Sequence, residues 1–173
     1  MRQLRGSWFH AQDRAYTLEQ VLPRERGFYR ALLPGERALG AYILPPFQRP
    51  PVWTNEQQIK LIESILDELP VPPYVLNRDM EEGYRYDRWL IDGQQRVTAI
   101  LAFINDEFAV RDVRFSEVSK SDQAWFLNRP LHCLETELRD EALLREVYDR
   151  LAYGGTPHDP ADMATPRYRV ASE

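Results

Sequence analysis

Two short polar runs in this chain stand where a backbone can hold an anion. The first is Asp92-Gly93-Gln94-Gln95-Arg96, entered from Trp89-Leu90-Ile91 and followed by Val97, Ile100, Leu101 and Ile104 at helical spacing. A strand that ends in glycine and opens a helix leaves N–H groups unsatisfied at the positive end of the helix dipole, which suits a phosphate. Gly93 lets such a group approach the backbone, and Arg96 adds a guanidinium fork. Gln94 and Gln95 are costly to bury without partners, so two in succession point to a polar ligand or an exposed surface. Asp92 has two readings. It caps the helix by accepting a backbone N–H, or it holds magnesium beside bound phosphates. The turn lacks the Walker loop and its lysine, so a nucleotide site here is of another type.

The second run is Gln48-Arg49, set between Pro45-Pro46-Phe47 and Pro50-Pro51-Val52-Trp53. Prolines on both sides forbid helix and ladder bonds, so the loop is rigid and extended. Gln48 and Arg49 are therefore positioned before any ligand arrives, or Phe47 and Trp53 simply pin a surface loop. A third stretch, Tyr148 to Thr156, ends a helix at Gly154-Gly155. It reads first as a C-cap, with Arg150, Thr156 and His158 placed to close over a nucleotide. Gln57, Lys60 and Glu63 lie off the apolar face of the helix after Trp53; Gln57 could face the same pocket. His10, His132 and His158 show no ligand spacing with one another or with Cys133, which reads as an inert core thiol.

Several elements must position these groups. Ala41–Leu44 reads as a strand, and Thr54 or Asn55 caps a helix to about Leu69 with Ile59, Ile62, Ile65, Leu66 and Leu69 buried. Tyr74–Leu76 and Arg85–Ile91 read as strands, Phe108–Phe115 as a strand or hairpin, and Leu131–Thr136 as a strand. Ser121–Leu127 and the stretch from Asp140 through Leu151 read as helices. Strands and helices mix without strict alternation, which predicts a small α+β or α/β domain rather than a doubly wound sheet. Residues 1–38 read as an N-terminal arm with a weak helix over Leu22–Leu33, residues 39–156 as the domain, and 157–173 as a polar tail.

The chain has 173 residues, 43% of them apolar, enough for one real core. No apolar run reaches membrane-spanning length, and the N-terminus lacks a signal-peptide core. One cysteine rules out an internal disulfide and points to a reducing, cytoplasmic setting. The net charge of −5 argues against a general nucleic-acid coat, although residues 1–37 carry +3. Arginine supplies 20 of the 22 basic residues, through codon bias or for forked contacts with phosphate.

FQRPPVWTNEQQIKLIESILDELPVP, WLIDGQQRVTAI and REVYDRLAYGGTPH, in this order, resemble the N-terminal DGQQR domain of GmrSD-type and SspE-type DNA-defence proteins. The resemblance covers roughly residues 40 to 160. It implies a ParB/sulfiredoxin-like fold and a pocket for a nucleoside triphosphate (ATP, GTP or CTP) with Mg2+, whose hydrolysis controls an attack on foreign DNA. Carried over, Gly93, Gln94, Gln95 and Arg96 hold phosphates, with Gln48, Arg49 and Arg150 around them. Asp92, Gln95 and Arg96 become the catalytic candidates, and Asp92 the metal ligand. The family pattern R-L-N before the late glycines reads Arg150-Leu151-Ala152 here, and alanine has no polar atom for a metal or phosphate. The cysteine of the sulfiredoxin turn is replaced by glutamine, and neither the ParB helix-turn-helix nor an HNH nuclease domain follows. Two other functions stand beside an NTP-binding switch. One is a metal-dependent DNase or DNA-binding protein; the other is a non-enzymatic protein that engages a nuclease or defence partner.

Overall fold

The computed structural model describes residues 7–23, 30–79, 81 and 84–153. Its strands are β1 (Gln12–Thr17), β2 (Arg37–Leu39), β3 (Tyr42–Leu44), β4 (Tyr74–Asn77), β5 (Trp89–Asp92) and β6 (Pro130–Thr136). Its α-helices are α1 (Asn55–Leu66), α2 (Gln94–Ile104), α3 (Lys120–Leu127) and α4 (Glu141–Tyr153). The strands form one mixed sheet in the order β1-β6-β4-β5-β3-β2. β5 lies near its centre, antiparallel to β4 and parallel to β3.

Both faces of this sheet are covered, which explains why its central strands read as apolar runs without polar alternation. Tyr42, Leu44, Tyr74, Leu76 and Leu90 point to a core shared with Leu61, Ile62 and Ile65 of α1, Val97 and Ile100 of α2, and Phe126 of α3. Ile43, Val75, Trp89 and Ile91 point the other way, onto Leu144, Val147 and Tyr148 of α4. The result is the expected α+β domain, a small mixed sheet flanked by helices. Cys133 is fully buried, and burial pushes its thiol up to about 12, so it stays protonated and inert.

The elements differ from the sequence reading in several places. Gln12–Thr17 is not a loose arm: it pairs antiparallel along all of β6, from Gln12 opposite Glu135 to Thr17 opposite Pro130. Leu18 and Val21, in a 3-10 turn after it, are fully buried. Of the helix expected over Leu22–Leu33, residues 24–29 lie outside the described residues, as do the Gly154-Gly155 cap, Thr156, His158 and the tail. α1 ends at Leu66, and Leu69, expected in the core, is 57% exposed. Residues 85–88 are a turn before β5, with Arg88 at φ 61°. The segment 108–115 makes one bridge, Val110 to Val113, instead of a strand. Gln57 does not face a pocket: its side chain accepts from the Thr54 amide at 2.9 Å, closing the capping box that starts α1.

Candidate functional site

β5 ends at Asp92, and the chain turns into α2 through Gly93, which stands at the N-cap with φ 103°. A side chain is excluded there twice. The backbone is left-handed, and a Cβ would sit 2.5 Å from Cβ of Tyr74 on β4. The open side of Gly93 is therefore filled by a neighbouring strand, and the residue serves close packing of the turn against β4 instead of the approach of a ligand to this face. Tyr74 is fully buried, its hydroxyl 2.6 Å from that of Tyr42, and burial pushes its phenol far above the usual range. Glycine has no side chain to cap a helix, so α2 starts without a side-chain cap. Its first-turn amides keep their partial positive charge.

Asp92 does not cap them. Its Oδ2 receives the Arg96 guanidinium at 2.6 Å, and Arg96 also donates to the Pro73 carbonyl at 3.1 Å. These bonds tie the β5–α2 turn to the chain leading into β4. Arg96 is thus held inside the protein, its Nε buried without a partner among the described residues. It is a brace for the turn more than a fork waiting for phosphate.

The proline loop is fastened on both sides of Arg49. Phe47 packs at 5.6 Å from Trp89 and 5.4 Å from Tyr148, with Arg145 over its ring at 4.5 Å. The Gln48 side chain is buried and donates to the carbonyls of Leu90 and Ile91, at 2.8 and 2.9 Å. It thereby satisfies strand acceptors, and its nitrogen is not available to a ligand. Farther on, Oε1 of Gln95 accepts from the amides of Val52 and Trp53, at 3.1 and 3.2 Å. Arg49 lies between these anchors, half-buried, with no hydrogen bond or ion pair among the described residues. Gln94 is only 6% exposed and likewise makes no side-chain hydrogen bond there.

Gln48, Arg49, Trp53 and residues 91–96 surround a cleft of about 240 Å3, closed from the α4 side by Tyr148, Leu151 and Ala152. The structure thus brings together parts of all three stretches picked from sequence, with the last turn of α4 as the third wall. Arg150 is the exception: one helical position turns it away to pair with Glu146 and to lie 5.3 Å over the Trp8 ring, bordering a different cavity. Sequence reasoning missed Tyr148 and Leu151 as site residues because they fit the apolar stripe of α4. Ala152 lies on the cleft wall, where the resemblance expects an asparagine.

The cleft offers a magnesium ion few protein ligands. Asp92 is the carboxylate lining the cleft, and its Oδ2 is already held by a cation. Among the described residues no three His, Cys, Asp or Glu side chains gather as metal ligands. Magnesium usually takes one or two carboxylates together with phosphate and water oxygens, so Asp92, paired with Arg96, would supply only a minor share of its ligands.

Fold and cleft together define a mixed α+β domain with a cleft at the turn from a central strand into a helix. Residues 31–153 match the family described as the GmrSD restriction endonuclease N-terminal domain, and the chain belongs to that family. No curated protein matches it. A solved structure, the C2221 form of a Pnob8-like ParB-N domain, is similar at 10% identity with a TM-score of 0.40, over 89% of this chain and 42% of that one. This chain therefore spans less than half the length of that protein. No described helix is long and apolar enough to cross a membrane.

Proposed function

We propose that the cleft binds the phosphate chain of a nucleoside triphosphate, as a nucleotide-responsive switch within cytoplasmic DNA defence. One observation carries the reading: Arg49, half-buried and without a hydrogen bond or ion pair among the described residues, lines the same cleft as the uncapped start of α2. A guanidinium held in place by a rigid loop and open to solvent offers charge-assisted hydrogen bonds to an anion. Gln94 supports it, because its amide lines the same cleft with no hydrogen bond among the described residues and is open to a polar ligand.

The division of labour follows from the bonds. Arg49, Gln94 and the first amides of α2 contact phosphate oxygens. Asp92, Arg96, Gln95 and Gln48 hold those contacts in place. This arrangement favours binding over turnover, since the catalytic candidates Asp92, Gln95 and Arg96 all have internal partners. Ala152 adds no donor to a reacting phosphate. No step is assigned to magnesium. Membership of the restriction-endonuclease family supports a nuclease partner acting on DNA as the output of such a switch.

Isothermal titration of the folded chain with ATP, GTP, CTP and UTP, with and without magnesium, tests this. Binding is expected, weakened about tenfold or more by Arg49→Ala, the loss typical of one charge-assisted contact. Equal affinity in wild type and R49A, or no binding of any of the four at millimolar concentration, overturns it.

A further inference from the structure

Beside the cleft lies a second cavity of about 570 Å3, lined mainly by Trp8, Phe9, Val75, Leu134, Val147 and Arg150. The two are neighbours by construction. Leu151 is a wall of both, and Val75 stands directly opposite Asp92 in the β4–β5 ladder. Val75, which lines the cavity, and Ile91, which lines the cleft, both lie on the α4 face of the sheet. A molecule whose charged end sits at Asp92–Arg96 can continue over Leu151, itself 44% exposed, into the larger space.

The chemistry of the two spaces is divided. The cleft offers Arg49, Gln94 and helix amides; the cavity offers apolar and aromatic surface. Its one polar neighbour besides Arg150 is Ser7, whose hydroxyl is already given to the Phe9 carbonyl at 2.7 Å. Trp8 is half-buried, set edge-on to Phe9 at 6.2 Å, with the Arg150 guanidinium over its ring. Indole and guanidinium are both planar, and planar groups at the mouth of an apolar cavity suit stacking by a heteroaromatic ring. The volume also lies within the range of small-molecule sites.

Resting on the phosphate reading above, we infer that this cavity takes the base of the same nucleotide, stacked at Trp8 and Arg150. The ligand then lies across the end of the sheet, phosphates at α2 and base between the sheet and α4. Arg150, which does not line the phosphate cleft, borders the nucleotide through its other end. Recognition of the base is by stacking, since the cavity has few polar groups with which to read it.

The test titrates the folded chain with ATP, GTP, CTP and UTP beside inorganic tripolyphosphate, which has no base. Trp8→Ala is expected to weaken the nucleotides about tenfold and to leave tripolyphosphate within about twofold of wild type; Trp8→Phe restores most of the loss. Nucleotide affinity unchanged in W8A, while R49A weakens nucleotides and tripolyphosphate alike, overturns the base site and leaves the phosphate cleft standing. No effect of R49A on either ligand sinks the cleft reading and this inference with it. Should W8A lower the melting temperature, Leu134→Trp, which fills the cavity from β6, must produce the same nucleotide-selective loss. Equal loss for both ligands in L134W, or none, refutes the base site.

Discussion

The two ends of β5 each carry a cluster of polar groups, and they are built on opposite plans. At the start of the strand, Oε1 of Glu36 accepts from the Trp89 indole at 2.6 Å and from Arg30 at 2.8 Å. Oε2 accepts from Arg30 and from the Leu33 amide, both at 2.7 Å. Burial alone would raise this carboxyl, but the bonds from Arg30, Leu33 and Trp89 outweigh it and hold the group below its usual range. At the far end, Arg49 is half-buried and Gln94 nearly buried, and neither has such a partner among the described residues. A closed cluster fastens the fold. An open one, held rigid by its neighbours, is where a ligand completes the hydrogen bonds.

That contrast breaks most readily at the closed end. Glu36→Ala strips Arg30 and Trp89 of their acceptor and should cost about 3 to 5 kcal/mol, read from urea unfolding, with the cleft's tripolyphosphate affinity unchanged in the folded fraction. A loss below about 1 kcal/mol would mean that the cluster is ornamental to stability. At the open end the sign reverses. Gln94→Leu keeps the volume, removes an unpaired amide and should stabilise the free protein by about 1 kcal/mol, while weakening tripolyphosphate binding. If Q94L is instead less stable, the amide has an internal role and the two ends are alike.

The smallest effect is in the pH profile. Glu36 has its folded value below the ordinary value of 4.5, so the unfolded chain takes up the proton first as pH falls. Its stabilisation is complete well above 4.5 and is lost as pH drops through the lower folded value. Unfolding free energies from about pH 6 to about pH 3 should therefore fall less steeply for Glu36→Gln than for wild type. Parallel slopes would place the acid sensitivity elsewhere.

Much of the architecture was legible from periodicity and caps. The Thr54 cap, the apolar stripe of α1, the stripe of α4 and the strand-to-helix passage at Gly93 all appear where local signals put them. β1 was not legible. Gln12–Thr17 is largely exposed and carries no apolar alternation; it becomes a strand because β6, more than a hundred residues later, offers its edge. Phe108–Phe115 failed in the opposite way, since Phe108, Val110 and Phe115 are buried as a strand's would be, yet they pack against α2 and α3 from a turn. In the site, residue type located the cleft but not the duties of its members. Gln48 and Arg49 are adjacent in one rigid loop, and one is bonded to β5 while the other is left open.

The sequence by itself determined the turn: glycine at Gly93 and an arginine one helical turn after Asp92 are local features whose consequences hold in any fold that contains them. It also determined the rigidity of the Pro45–Pro51 loop, because proline fixes φ wherever it stands. Which polar groups would remain without partners was decided by the tertiary structure alone. Partnering is a matter of distance between segments remote in the chain, such as Gln95 to Val52 or Glu36 to Trp89. Only after the sheet had been assembled and both faces covered could Arg49 and Gln94 be distinguished from their satisfied neighbours.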